Sequence, residues 1–100
     1  MAKILNTVDE FNTQISQGTT LVDFYADWCG PCKMLAPIFE QVSTENTNTA
    51  FVKVNTDELG EIANKYEVRS IPTIIKFENG QEVARHVGMM GKDQLVDFSK

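Results

Sequence analysis

The sequence predicts an α/β domain: a central mixed sheet of five strands flanked by four helices. Two observations carry this. Stretches of extended, β-forming residues alternate along the chain with stretches whose apolar residues recur at helical spacing. An Asn-Gly pair at 79–80 separates two late strand-like runs, which signals a tight hairpin. At 100 residues the chain is expected to be one domain, residues 1–100.

The elements follow in order. Lys3 to Leu5 reads as a short first strand. Val8, Phe11 and Ile15 sit at helical spacing, with Thr7 as N-cap and Gly18 closing the segment. "TLVDFYA", Thr20 to Ala26, is nearly continuous in β-formers, as a strand covered on both faces would be. A helix is expected from Pro31, with Met34, Leu35, Ile38, Phe39 and Val42 forming its apolar stripe. Pro37 lies inside that stripe and is expected to kink the helix rather than end it. "FVKVN", Phe51 to Asn55, is the third strand. Leu59, Ile62, Ala63 and Tyr66 mark a short helix. "TIIKF" (Thr73 to Phe77) and "EVARHV" (Glu82 to Val87) form the hairpin around Asn79-Gly80. Leu95 and Phe98 mark the last helix. Strands joined through helices pair in parallel, so the hairpin adds an antiparallel part to a parallel core.

Composition narrows the function. The 42% hydrophobic content fits a globular chain and argues against disorder. The net charge of −5 disfavours nucleic-acid and anionic-membrane partners, which select a basic face. No apolar run approaches the roughly 18 residues of a membrane span. The opening "MAKILNTVDE" lacks the apolar core of a secretory signal, so the expected location is the cytoplasm.

Both cysteines lie in "WCGPCK", residues 28–33. Three uses compete: metal binding, a structural staple, or a redox switch. A zinc site usually takes four ligands, and only His86, on a distant strand, could join the two sulfurs. A disulfide between Cys29 and Cys32 closes almost no loop and would restrain the unfolded chain little. Cytosol also disfavours structural disulfides. The redox reading fits the local design. Cys29 falls at the last loop position before a helix, and Pro31 suits the first helical turn. The helix end presents free N–H groups and a positive dipole, which favour a thiolate. Cys32, three residues on, shares that side of the turn but lies one turn in. The thiolate is the attacking species; lowering a thiol pKa from about 8.5 to about 7 raises the ionised fraction at pH 7 from ~3% to roughly half.

With "VDFYADWCGPCK", "VNTDE", "IPT", "FENGQ" and "VGMMGKDQL" in this order and spacing, the sequence resembles the thioredoxin family from about Ile4 to Phe98. The resemblance implies the thioredoxin fold and a protein-disulfide reductant. Cys29 would attack a target disulfide and Cys32 would resolve the mixed disulfide. The Cys29–Cys32 pair would be the redox centre, with no cofactor bound. Thioredoxin reductase, a flavoprotein, would restore the dithiol with NADPH; the chain itself has no G-x-G-x-x-G for the nucleotide. Disulfide-containing proteins are the implied targets, and a monomer is expected.

The resemblance also assigns supporting residues. Asp23 would be a buried carboxylate relaying a proton for Cys32, with Lys53 as its neighbour on the adjacent strand. The Ile71–Pro72 bond would be cis and turn the Ile71 backbone toward the cysteines. Trp28, Gly30, Pro31, Ile71, Pro72, Gly88 and Met89 would form a docking collar around Cys29. Lys33 and His86 read as solvated residues. Tyr25, where the family more often has tryptophan, and Met89-Met90 depart from the usual pattern, and the methionines would bear on target choice. The rival readings are a disulfide oxidase or isomerase, and a non-catalytic assembly subunit on the same fold.

Overall fold

The structure is a computed structural model and describes residues 2–100. The elements run β1 (Lys3–Ile4), α1 (Val8–Ile15), β2 (Thr19–Tyr25), α2 (Gly30–Glu45), β3 (Ala50–Asn55), α3 (Gly60–Lys65), β4 (Thr73–Glu78), β5 (Gln81–Val87) and α4 (Lys92–Ser99). The five strands form one sheet in the order β1-β3-β2-β4-β5. β1, β3 and β2 are parallel; β4 is antiparallel to β2, and β5 to β4. This is the predicted mixed sheet with four helices.

Strand alternation divides the core in two. Val22, Phe24, Val52, Val54, Ile75 and Phe77 point to the face that also buries Phe11 and Ile15 of α1 and Ile62 of α3. Leu21, Phe51 and Ile74 point to the other face, against Leu35, Phe39 and Val42 of α2 and Leu95 of α4. β2, central in the sheet, is therefore covered on both sides, which explains its near-continuous apolar run.

Local chemistry fixes the helix ends. Thr7 Oγ1 accepts the Glu10 N–H (3.0 Å), and Glu10 Oε1 accepts the Thr7 N–H (3.1 Å), so α1 starts in a reciprocal capping box. α2 continues through Pro37, as expected. Asn79 and Gly80 adopt φ of 51° and 90°, the conformation a two-residue hairpin turn requires. That turn is tied to the end of α1: the Gly80 N–H donates to Ile15 O (2.7 Å), and the Asn79 N–H to Gly18 O (2.9 Å). It sits beside Thr19, so the end of β2 that leads to the cysteines lies at the far side of the sheet.

Three expectations are corrected. β1 ends at Ile4, opposite Lys53; Leu5 follows with its side chain in the core and its N–H still bonded to Lys53 O (2.9 Å), so the boundary differs by one residue. Met34 leaves the α2 stripe and is 66% exposed. The buried face of α2 follows Cys32, Leu35, Phe39 and Val42, and Met34 lies off that line. Leu59 caps α3 from outside rather than forming its first turn.

Candidate active site

The site is built at the C-terminal end of β2. Tyr25 ends the strand, and Cys29 is the N-cap of α2, in an extended conformation (φ −87°, ψ 111°). Its N–H donates to Ala26 O (3.2 Å), and its carbonyl accepts the Lys33 N–H (3.2 Å), the first bond of the helix. Pro31 sits in the first turn, where no intrahelical bond needs its missing N–H. Cys29 and Cys32 are joined as a disulfide, with Cα atoms 5.2 Å apart, inside the ordinary range for a bridge. The Cys32 N–H donates to Cys29 Sγ (3.2 Å). When the bridge opens, that bond becomes charge-assisted to a Cys29 thiolate, and the helix dipole adds to it.

Three other loops meet this end of the sheet. The Ile71–Pro72 bond, just before β4, is cis, and Ile71 O lies 3.7 Å from Cys29 Sγ. A bonded sulfur has no proton to donate, so this is a packing contact rather than a hydrogen bond. The Gly88 N–H, just after β5, donates to Pro72 O (2.8 Å), and Gly88 holds φ +99°, open to glycine without strain. In the loop after β3, Asp57 Oδ2 accepts the Trp28 Nε1–H (2.9 Å). The sequence reading gave Asp57 no role. The only signal for it was its place in "VNTDE", and its distance along the chain from Trp28 hid the pairing.

Exposure sorts the expected collar. Trp28 is 70% exposed and Met89 37%, while Gly30 and Pro31 are open and Ile71 and Gly88 half-buried. Pro72 is buried, so it supports the collar from beneath instead of presenting a face. Met90 is buried against Leu21, Leu35 and Leu95, so of the two unusual methionines only Met89 reaches the surface. The two cysteines are equally enclosed in the bridged state, each 4% exposed. They differ in surroundings. Cys29 faces the Ile71 carbonyl, whereas Cys32 lines a cleft of about 150 Å³ with Tyr25, Lys33, Ala36 and Lys53.

Asp23 lies between Leu21 and Tyr25 on the α2 face of the central strand and is fully buried. Neither carboxylate oxygen accepts a hydrogen bond from another described residue. Burial therefore pushes its pKa up to about 7, and the Lys53 charge draws it only partly back. Lys53 is directly opposite Asp23 in the β2–β3 register. Yet its ammonium rests over the Tyr25 ring, 4.6 Å from the centroid, and forms no ion pair with Asp23. A cation–π contact has taken the place of the salt bridge. Larger hollows, of about 310 and 410 Å³, lie around Asn46, Asn48 and Ser99, away from either sulfur. Among the described residues, no helix is long and apolar enough to cross a membrane.

The sequence that builds this disulfide at a helix N-terminus, beside a cis-proline, is matched by the family model Thioredoxin over residues 2–100. The chain belongs to the thioredoxin family. It is 46% identical over 98 residues to the thioredoxin of Chlamydia pneumoniae, covering 98% of this chain and 95% of that one. A solved Plasmodium falciparum thioredoxin superposes with a TM-score of 0.93 at 37% identity, over 99% of this chain and 100% of the other. A yeast structure concerned with the thiol-resolving mechanism of mitochondrial 1-Cys peroxiredoxin, via glutathione and thioredoxin systems, superposes at 0.89. That chain is 30% identical, with 98% of this chain and 92% of it covered. The chain is thus a thiol–disulfide oxidoreductase, a dithiol reductant acting through Cys29 and Cys32. The assembly-subunit reading is not favoured.

Proposed function

We propose that Cys29 attacks a disulfide of a target protein and that Cys32 resolves the product. The Cys29 thiolate displaces one target sulfur as a thiolate and forms the mixed disulfide. Cys32 then gives up its proton and attacks Cys29 Sγ. The second target sulfur leaves as a thiolate, the Cys29–Cys32 bridge forms, and two electrons have passed to the target. The observation that carries this order is the N-cap position of Cys29, with its sulfur accepting the Cys32 N–H.

Asp23 takes the Cys32 proton. A carboxyl with a pKa of about 7 is matched to a thiol near neutral pH, and Lys53 biases it toward the ionised, accepting form. The cleft beside Cys32 is also lined by Lys53, which stands opposite Asp23 in the strand register. Trp28, Gly30, Pro31, Ile71, Gly88 and Met89, with Pro72 beneath, receive the target. The Ile71 backbone offers an extended target segment a place to pair. Thioredoxin reductase regenerates the dithiol with NADPH. The protein works as a monomer in the cytoplasm, where a reducing pool keeps the dithiol available.

Trapping tests the order of attack. Cys32→Ser should accumulate a mixed disulfide with a disulfide-bearing target, seen as a higher-mass band lost on reduction. Cys29→Ser should accumulate none. Equal trapping by the two variants refutes the assignment.

A further inference from the structure

The loop between β5 and α4 carries Met89, an exposed thioether on this docking face. Its neighbours in the loop are strongly fixed. The Gly88 N–H is bound to Pro72 O, Met90 is sunk in the core, and the Gly91 N–H donates to Gln94 Oε1 (3.0 Å). Met89 itself has one tether. His86, the single histidine, places Nε2 3.1 Å from Met89 O. A carbonyl only accepts, so Nε2 carries the proton and donates; the contact fixes the tautomer.

We propose that His86 is a positioning residue for target docking, holding the Met89 backbone, and with it the exposed thioether, against the collar around Cys29. The geometry supports this from both ends. His86 stands opposite Ile74 on the sheet, next to the Thr73–Val87 pair that begins β4. Ile74 is fully buried in the α2–α4 core. His86 is half-buried and rises from β5, which is paired along its length with β4, the strand that carries Ile74. Met89 is therefore referenced to the rigid sheet rather than to its own loop. Methionine is a flexible side chain that adapts to many surfaces, so an anchored backbone beneath it keeps adaptability while limiting the search. His86 touches neither sulfur, and its effect is confined to binding.

This rests on the docking face proposed above, and the test separates the two. Measure reduction of a folded protein disulfide, with NADPH and thioredoxin reductase present, for wild type, His86→Ala, His86→Gln and Trp28→Ala. Loss of one modest hydrogen bond should raise KM about 2- to 10-fold in His86→Ala, with kcat little changed. Glutamine retains an N–H donor at similar reach and should restore most of the wild-type KM. The backbone carbonyl 13C shift of Met89 should move in the alanine variant and stay near the wild-type value in the glutamine variant. If His86→Ala leaves KM at the wild-type value while Trp28→Ala raises it, the docking face stands and the role of His86 is overturned. If kcat falls and KM does not, or if glutamine fails to rescue, His86 is not acting through this bond. If Trp28→Ala also leaves KM unmoved, the docking face itself fails.

Discussion

Asp23 couples the stability of the fold to its chemistry. Its folded pKa of about 7 lies above an ordinary 3.8, so between those values the native protein binds more protons than the unfolded chain. Stability from this group is complete below pH 3.8 and is lost as pH rises through about 7. At about 1.36 kcal/mol per unit the loss is ~4 kcal/mol. Asp23→Ala should therefore gain on wild type as pH rises from 4 to about 7 and level off by pH 8, less a constant cavity cost. Urea midpoints of the oxidised proteins across that range check this, and a difference flat with pH would show that Asp23 is not a raised-pKa acid. If Asp23 accepts the Cys32 proton as proposed, the variant should also reduce disulfides more slowly. Asp23 was legible in the sequence because a carboxylate between Val22 and Phe24 interrupts an apolar run. The surroundings were less so. That Lys53 turns to Tyr25 rather than to Asp23 depends on a choice between two close neighbours, which strand register alone does not make. Met89 and Met90 are adjacent in an irregular loop, where no period says which one is buried.

At the scale of elements, periodicity did well and boundaries less well. The order of all nine elements was readable, because each strand and helix has its own apolar spacing. The ends moved by a residue or two: α2 begins at Gly30, one residue before Pro31, with Cys29 capping it from the last loop position as expected, and Leu59 stands outside α3. The α1 cap was the exception, since Thr7 followed by Glu10 spells its own capping box. Removing the Thr7 hydroxyl leaves the Glu10 N–H without its partner at an exposed helix end. Thr7→Ala should cost about 1 kcal/mol. In a domain of this size that is a fall in Tm of roughly 4–8 °C. Thermal unfolding by circular dichroism measures it. A shift under about 1 °C would mean that the box adds nothing beyond packing of Phe11 and Ile15. Thr7 caps α1, which packs on the face of the sheet opposite α2, so insulin-disulfide reduction should be unchanged at 25 °C.

For the whole molecule, the residue pattern alone did not bring the parts of the site together; the family resemblance set Ile71, Pro72, Gly88 and Met89 around Cys29, and Asp57 was missed. Residues 28–32, 57, 71–72 and 88–89 meet because β2 runs parallel to β3 and antiparallel to β4, which brings four loops to one end of the sheet. That assembly also sets the direction of electron flow. A strongly oxidising disulfide owes its potential to stabilisation of the reduced form, chiefly of its thiolate. Here a Cys29 thiolate gains one N–H bond, from Cys32, and the end of α2. Against this stands Asp23, buried on the same face of the sheet and ionised above a pH of about 7, which opposes a second negative charge beside the sulfurs. Lys53 offsets that charge only in part, its ammonium resting over the Tyr25 ring. The dithiol is therefore not specially favoured, and the pair should donate electrons rather than take them. The potential should fall near the thioredoxin reference of about −270 mV, well below the −120 mV or so of a dedicated oxidant. Equilibration with glutathione redox buffers at pH 7, with the Cys29–Cys32 state read by alkylation and mass, gives the value. A result near the oxidant figure would mean that an unrecognised interaction stabilises the thiolate, and would move this chain from reductant to oxidase.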